Sequence, residues 1–295
     1  MGTAVFLAAG VIVFGAGCLA RSRYERDCLV TEEYRIVSEK IHGPGKTIVF
    51  LTDLHNKEFG EENSRLLEAV RKVKPDAVLF GGDGMVAKRG NSDVRIPLTL
   101  LTELAKEFPV YCGNGNHECR MLWKADVYGS TYKNYRAALE NAGIRYLSNG
   151  AADLDSDIRI YGLDLPKSAY LPRSGEIPAG LLKDALGEPD PEKFHLLLAH
   201  SPLFFEEYAA WGADLTFSGH FHGGTIRLPI VGGVMTPQYQ FFYPRCAGYF
   251  ELPGKEKEKS RMIVGRGLGT HSINIRLNDK PQVVVVRLCG ADAQQ

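Results

Sequence analysis

Apolar residues along the chain fall into short unbroken runs, and several of these runs end in an acid or an imidazole. "TIVFLTD" (Thr47–Asp53) and "DAVLFGGD" (Asp76–Asp83) are the first two. Runs this short, apolar at nearly every position, predict strands buried on both faces. "PVYCGNGNHE" (Pro109–Glu118) predicts a third strand that passes into polar residues. Between the runs the period changes. "EENSRLLEAVRKV" carries Leu66, Val70 and Val73 at helical spacing. "RIPLTLLTELAKE" and "YKNYRAALENAG" predict two more helices, the last closed by Gly143. Strand and helix thus alternate through the first half, an α/β pattern.

The second half is richer in strands. "DIRIYGLD", "FHLLLAHS", "ADLTFSGH", "GTIRLP", "AGYFEL", "RMIVGRG" and "PQVVVVRL" are the candidates, with helices expected only near 179–185 and 203–210. "GKEKEKS" (Gly254–Ser260) predicts a solvated hairpin turn. No repeat or low-complexity linker interrupts 45–290, which reads as one domain with two sheets. Residues 23–44 read as a connector containing a short strand, "EYRIVSEKI", and the turn "GPGK".

The N-terminus follows a different pattern. Thr3–Ala20 contains no charge, and as a helix it would run about 27 Å, just enough for a hydrocarbon core. No basic residue precedes it, which argues against a removed signal peptide. Arg21, Arg23 and Arg26 follow it. The expectation is an uncleaved single-pass transmembrane anchor over 1–22, with the rest of the chain on the cytoplasmic side.

Composition adds little to this picture. Apolar residues make up 44% and charged residues 24%, as in ordinary globular proteins. Lys+Arg and Asp+Glu each number 35, so no basic excess points to nucleic acid. Six cysteines without a C-x-x-C pair, in a chain this long, read as reduced thiols, with a Cys112–Cys119 disulfide as the alternative.

The chemistry gathers at the strand ends. Asp53 and His55 follow the first strand, Asp83 the second, Asn116 and His117 the third. His200 follows "FHLLLA", and "GHFHGG" adds His220 and His222 after "DLTFS". Five of the eight histidines lie at these points, where open α/β sheets form ligand sites. Imidazole, carboxylate and amide oxygen together suit manganese, iron or zinc. One carboxylate can bridge two cations, and a water shared by two cations becomes hydroxide near neutral pH. Such a site attacks a phosphoryl group without a protein nucleophile and neutralises the charge that builds on it.

"DLH", "GGD", "GNHE", a His before "SP", and "GHFH" occur in this order, each after an apolar strand. Each alone is weak, but together they resemble the calcineurin-like metallophosphoesterases. The tail "GRGLGTHSINIRLNDKPQVVVVRL" is similar to the membrane-anchored bacterial subgroup that includes UDP-2,3-diacylglucosamine pyrophosphatases. The resemblance implies a two-sheet β-sandwich flanked by helices, in four layers α/β/β/α, over 45–290. It implies two divalent metal ions, with manganese favoured over iron or zinc. Asp53, His55 and His222 would hold one ion, Asn116, His200 and His220 the other, and Asp83 would bridge them. His117 would stabilise phosphoryl oxygens or protonate the leaving oxygen, and Glu118 would orient a neighbour.

Two positions depart from the family pattern. Gly84 stands where a bulkier residue is usual, and the Gly113-Asn114 pair duplicates the start of "GNHE". Asn114 therefore competes with Asn116, and the adjacent His117-Glu118 favours Asn116.

The expected activity is hydrolysis of a phosphodiester or pyrophosphate bond by metal-bridging hydroxide, in a membrane-proximal or lipid-linked substrate. The alternatives are a protein or small-molecule phosphomonoesterase and a non-catalytic metal-binding scaffold. The complete ligand set argues against the scaffold. Elsewhere, His195 is expected in the core or at an edge, and His42 at the surface. His271 either lines the cleft or stands apart from it. Arg266 and Arg276 meet either a substrate phosphate or a salt-bridge partner. The aromatics of "QYQFFYP" (Gln238–Pro244) are expected in the core, with contact to an acyl chain or the bilayer as the alternative.

Overall fold

Strict alternation along the strands sorts side chains into three apolar layers, and these define the architecture. The computed structural model describes residues 2–172, 175–255, 259–270 and 273–291, with backbone alone at 2–5 and 8. In chain order the elements are α1 (Gly2–Glu25), β1 (Val30–Ser38), β2 (Lys46–Leu51), α2 (Ser64–Val73), β3 (Ala77–Phe80), α3 (Arg95–Ala105) and β4 (Val110–Gly113). Then come α4 (Asn116–Trp123), α5 (Ala125–Tyr128), α6 (Thr131–Asn141), β5 (Arg145–Leu147), β6 (Gly150–Asp153), β7 (Ile158–Leu163) and α7 (Leu181–Leu186). The last are β8 (Phe194–Ala199), α8 (Phe205–Trp211), β9 (Leu215–Ser218), β10 (Arg227–Leu228), β11 (Gly232–Gly233), β12 (Gly248–Pro253), β13 (Lys259–Val264) and β14 (Gln282–Gly290).

Two six-stranded sheets result, ordered β1-β14-β2-β3-β4-β5 and β12-β13-β9-β8-β7-β6. Along β2, Val49 and Leu51 point to a layer shared with Leu66, Val70, Leu100 and Leu104 of α2 and α3. Ile48 and Phe50 point the other way, into the inter-sheet core with Leu79, Leu198, Phe217 and Ile263. On the far side, Tyr161 and Leu197 pack with Leu182, Tyr208 and Trp211 of α7 and α8. The expected two-sheet, helix-flanked α/β architecture is thus observed.

β2, β3 and β4 run parallel, as do β7, β8 and β9. Their carboxyl ends therefore collect at common edges of the two sheets. β1 pairs with β14 in parallel over nine residues, so the segment expected as a connector contributes a full edge strand. Of "GTIRLP", only Arg227–Leu228 forms a strand. In "GKEKEKS", residues 256–258 lie outside the described residues.

The N-terminal expectation is corrected. Among the described residues, no helix is long and apolar enough to cross a membrane. The single-pass anchor, the membrane as a partner and the cytoplasmic placement derived from it all fall with this finding. The end of α1 instead docks on the domain. Ser22 Oγ accepts the N–H of Arg276 (3.0 Å), and Glu25 Oε2 accepts that of Asp279 (3.3 Å).

Phe50 and Phe217 meet between the sheets with ring centroids 4.8 Å apart. Both are fully buried. Phe217→Ala is expected to cost about 3–5 kcal/mol, the usual price of emptying such a site. Urea denaturation checks this, and a loss under about 1 kcal/mol would contradict the inter-sheet core.

Candidate metal centre

Five strands of the two sheets end at one place. Asp53 and His55 follow β2, Asp83 follows β3, Asn116 and His117 open α4 after β4, His200 follows β8, and His220 and His222 follow β9. None of these eight side chains belongs to a residue more than 7% exposed. Asp53, His55, Asp83, His220 and His222 all hold positive φ, between 47° and 67°. Non-glycine residues avoid this region, and each strained position costs of order 1–3 kcal/mol. Backbone bonds hold the turns in place: Asp53 N–H donates to Gly82 O and His55 N–H to Asp83 O, each at 3.0 Å. Two glycines permit the closeness. A Cβ on Gly115 would sit 2.2 Å from Asp83 Oδ1, and one on Gly219 would sit 2.3 Å from Asp53 Oδ2.

Three groups in this cluster could hold a metal ion, with ligand atoms within 4.8 Å of one another: Asp53, His55 and His222; His55, Asp83 and His117; Asp83, His200 and His220. Asp83 Oδ2 lies 3.2 Å from His200 Nε2, 3.7 Å from His55 Nε2 and 4.0 Å from His117 Nε2. Asp53 Oδ1 lies 3.6 Å from the Nε2 atoms of both His200 and His222. Asn116 Oδ1 is buried without a hydrogen-bond partner. An orphaned amide oxygen beside carboxylates and imidazoles fits a divalent cation.

Backbone contacts fix three ring tautomers. A carbonyl only accepts, so His200 Nδ1–H donates to Gly81 O (2.8 Å) and His222 Nδ1–H to Gly269 O (3.2 Å). In the neutral form both rings then turn an Nε2 lone pair toward the cluster, the form a metal ligand needs. His117 is reversed. Its Nδ1 accepts the N–H of Ala87 (2.8 Å), so the ring proton sits on Nε2 and faces Asp83.

The electrostatics follow from burial. Burial pushes the Asp53 carboxyl up to about 6, against the pull of His200. Burial also raises Asp83, but His200, His117 and His55 outweigh it and hold that carboxyl well below the usual range. His200 is raised to about 10, because Asp83 and Asp53 overcome its own desolvation. Glu118 accepts the N–H groups of Asp83 (2.8 Å), Gly84 (2.9 Å) and Gly115 (3.0 Å), and so ties the β3 turn to the start of α4. Asn114 turns away, bonding Tyr132, Tyr146 and Asp164.

A cleft of about 230 Å³ opens beside the cluster, lined by Asn116, His220 and His222 on one side and by Met235, Tyr239 and Ile273 on another. A larger cavity of about 580 Å³ lies at the opposite ends of β8 and β9, near His195 and Asp214, and contains none of the candidate ligands. His195 is buried and His42 exposed, while His271 lies outside the described residues. All six cysteines are free thiols. The expected core packing of "QYQFFYP" does not occur: Tyr239 is 62%, Phe241 64% and Phe242 51% exposed. The loop carrying them is anchored instead by buried Gln238, whose Nε2 donates to the carbonyls of Ala169 (3.2 Å) and Leu171 (2.9 Å).

Arg266 pairs with Glu32 of β1 at 2.6 Å. Arg276 is buried and works from behind the site. Its Nη2 donates to the carbonyls of Arg266 (2.9 Å), Gly267 (3.2 Å) and Gly269 (2.8 Å), and its Nη1 meets Asp279 Oδ2 at 3.3 Å. Gly269 in turn receives His222 Nδ1–H and donates its own N–H to Asp53 O (2.6 Å). Arg276 is thus a clamp on the loop that orients two candidate ligands. Sequence spacing gave no signal for this role. Arg276→Met would strand Asp279 and three carbonyls, at an expected cost of about 3–5 kcal/mol in chemical denaturation. A loss under about 1 kcal/mol would contradict the clamp.

The comparisons agree with this geometry. The model of the family "Calcineurin-like phosphoesterase" matches residues 46–224, which contain all eight of these residues. The metallophosphoesterase YkuE of Bacillus subtilis (strain 168) is 27% identical over 296 residues, covering 96% of this chain and 93% of that protein. Phosphodiesterase YaeI of Escherichia coli (strain K12) is 28% identical, covering 82% of this chain and 81% of that protein. The UDP-2,3-diacylglucosamine pyrophosphatase LpxG of Chlamydia muridarum (strain MoPn / Nigg) is 22% identical, covering 86% and 87%. With a family match over more than half its length, centred on a buried cluster of carboxylates and imidazoles, this chain belongs to the calcineurin-like phosphoesterase family and is a metal-dependent phosphoester hydrolase.

Proposed function

We propose that the protein hydrolyses a phosphodiester or pyrophosphate bond, in a catalytic domain of 45–290 completed by β1. Asp53, His55 and His222 hold one divalent cation, and Asn116, His200 and His220 hold the other. Asp83 lies between them. Manganese is the first choice, ahead of iron and zinc. When bound, the cation pair supplies an acidified water and neutralises charge on the phosphoryl group.

The observation that carries this reading is the reversed tautomer. In their neutral form His200 and His222 turn lone pairs inward, while neutral His117 turns an N–H inward. Two of these rings suit binding a cation, and the third suits giving a proton. His117 Nε2–H donates to the leaving oxygen or to a phosphoryl oxygen. Ala87 keeps the ring from rotating, and Glu118 keeps the turn bearing Asp83 against α4.

An amphiphilic, lipid-linked substrate is favoured within this class. Support comes from Met235, Tyr239 and Ile273 at the cleft and from the exposed Phe241 and Phe242 close by in the chain. The relatives named as UDP-2,3-diacylglucosamine pyrophosphatases point the same way.

The test compares bis(p-nitrophenyl) phosphate with p-nitrophenyl phosphate, using metal-stripped protein before and after manganese is added. Turnover should require the metal and favour the diester, and His117→Ala should lower kcat by roughly 10²–10⁴-fold. Preference for the monoester would replace this reading with a phosphomonoesterase. Unchanged turnover in His117→Ala would remove the proton-donor role.

A further inference from the structure

Helix α4 opens with Asn116 and His117, and one turn later it carries a guanidinium, that of Arg120. Arg120 follows Asn116 by four residues, so the two share a helix face, with Cβ atoms about 5–6 Å apart. Both line the cleft, together with His220 and Tyr170. Among the described residues the Arg120 side chain makes one hydrogen bond, from Nη1 to Ala87 O (3.1 Å). Among the described residues it has no carboxylate partner, unlike Arg266 and Arg276. The same residue, Ala87, donates its N–H to His117. One peptide segment therefore fixes both the proton-bearing imidazole and the guanidinium.

A guanidinium is permanently charged, with five N–H donors in a planar fork that matches phosphate oxygens. Four of the five are left over here. A monoester offers a single phosphoryl group, and the carboxylate–imidazole cluster is where that group would react. In a diphosphate, the second phosphoryl group is joined to the first through one shared oxygen and carries its own negative charge.

We propose that Arg120 is a substrate-binding residue that grips the non-scissile phosphoryl group of a diphosphate, so that the cleft selects pyrophosphate diesters over simple phosphate esters. This rests on the hydrolase reading above and narrows its substrate class. Hydrogen bonds to a charged group of this kind are worth about ten- to hundredfold in affinity.

The experiment has a binding arm and a turnover arm, both on the full chain loaded with manganese and freed of excess metal. In calorimetry, the wild type should bind methylenediphosphonate at least tenfold more tightly than methylphosphonate. Arg120→Met should weaken diphosphonate binding at least tenfold and methylphosphonate binding much less, and Arg120→Lys should recover part of the loss. A smaller loss, or an equal loss for both ligands, would overturn the proposal and reduce Arg120 to a strut for Ala87. In turnover, the loss of kcat/KM in Arg120→Met should be at least ten times greater on a nucleoside diphosphate ester than on bis(p-nitrophenyl) phosphate, and it should lie in KM. Equal losses on both would overturn it. A wild type that cleaves neither would contradict the hydrolase reading itself, while diphosphonate binding would still decide the role of Arg120.

Discussion

Two carboxylates, Asp53 and Asp83, are buried within reach of one imidazole, His200, which lies 3.6 Å from the first and 3.2 Å from the second. Like charges out of water repel strongly, and burial penalises each of them. The protein's own answer is partial. Imidazoles hold Asp83 ionised, while Asp53 is pushed up to about 6. No lysine or arginine makes an ion pair with either carboxylate among the described residues. The countercharge must therefore be small, multivalent and able to take several ligands at once, which describes divalent cations.

The rest of the structure serves that concentration of acid. Parallel strands from two sheets deliver their carboxyl ends to one spot, and the turns beyond them are wound into left-handed backbone at five candidate ligands. Such strain persists only where the surroundings over-determine it. The two oxygens of Glu118 accept two N–H groups of the β3 turn and that of Gly115, and Gly115 and Gly219 leave no side chain in the way. Arg276 collects three carbonyls of the loop that meets His222 and Asp53. That loop is also where the end of α1 docks, through Ser22 and Glu25.

Much of this was legible in the chain before any coordinates. The candidate ligands stand directly after apolar runs, and a buried strand is the easiest element to read from such a run. The layers followed from the same signal. What could not be read depends on contacts between distant segments. α4 was hidden because Gly115 caps it and Glu118, at its third position, bonds back to that cap, in a stretch too polar to show helical period. The cradle around Arg276 uses backbone carbonyls, which leave no trace in residue type. Tyr239, Phe241 and Phe242 are aromatic enough to suggest a core, but the loop is anchored through the amide of Gln238 and leaves these three rings exposed. The uncharged run at the N-terminus matched an anchor in composition, yet no helix among the described residues is long and apolar enough to span a membrane.

The central claim is that these side chains hold two cations with Asp83 between them. The most direct measurement is the metal content of the full chain after equilibration with manganese and dialysis, by plasma mass spectrometry. Two ions per chain in the wild type, falling to fewer than one in Asp83→Asn, is the expected result. A wild type that retains no more than one ion, or an Asp83→Asn protein that keeps two, would contradict it.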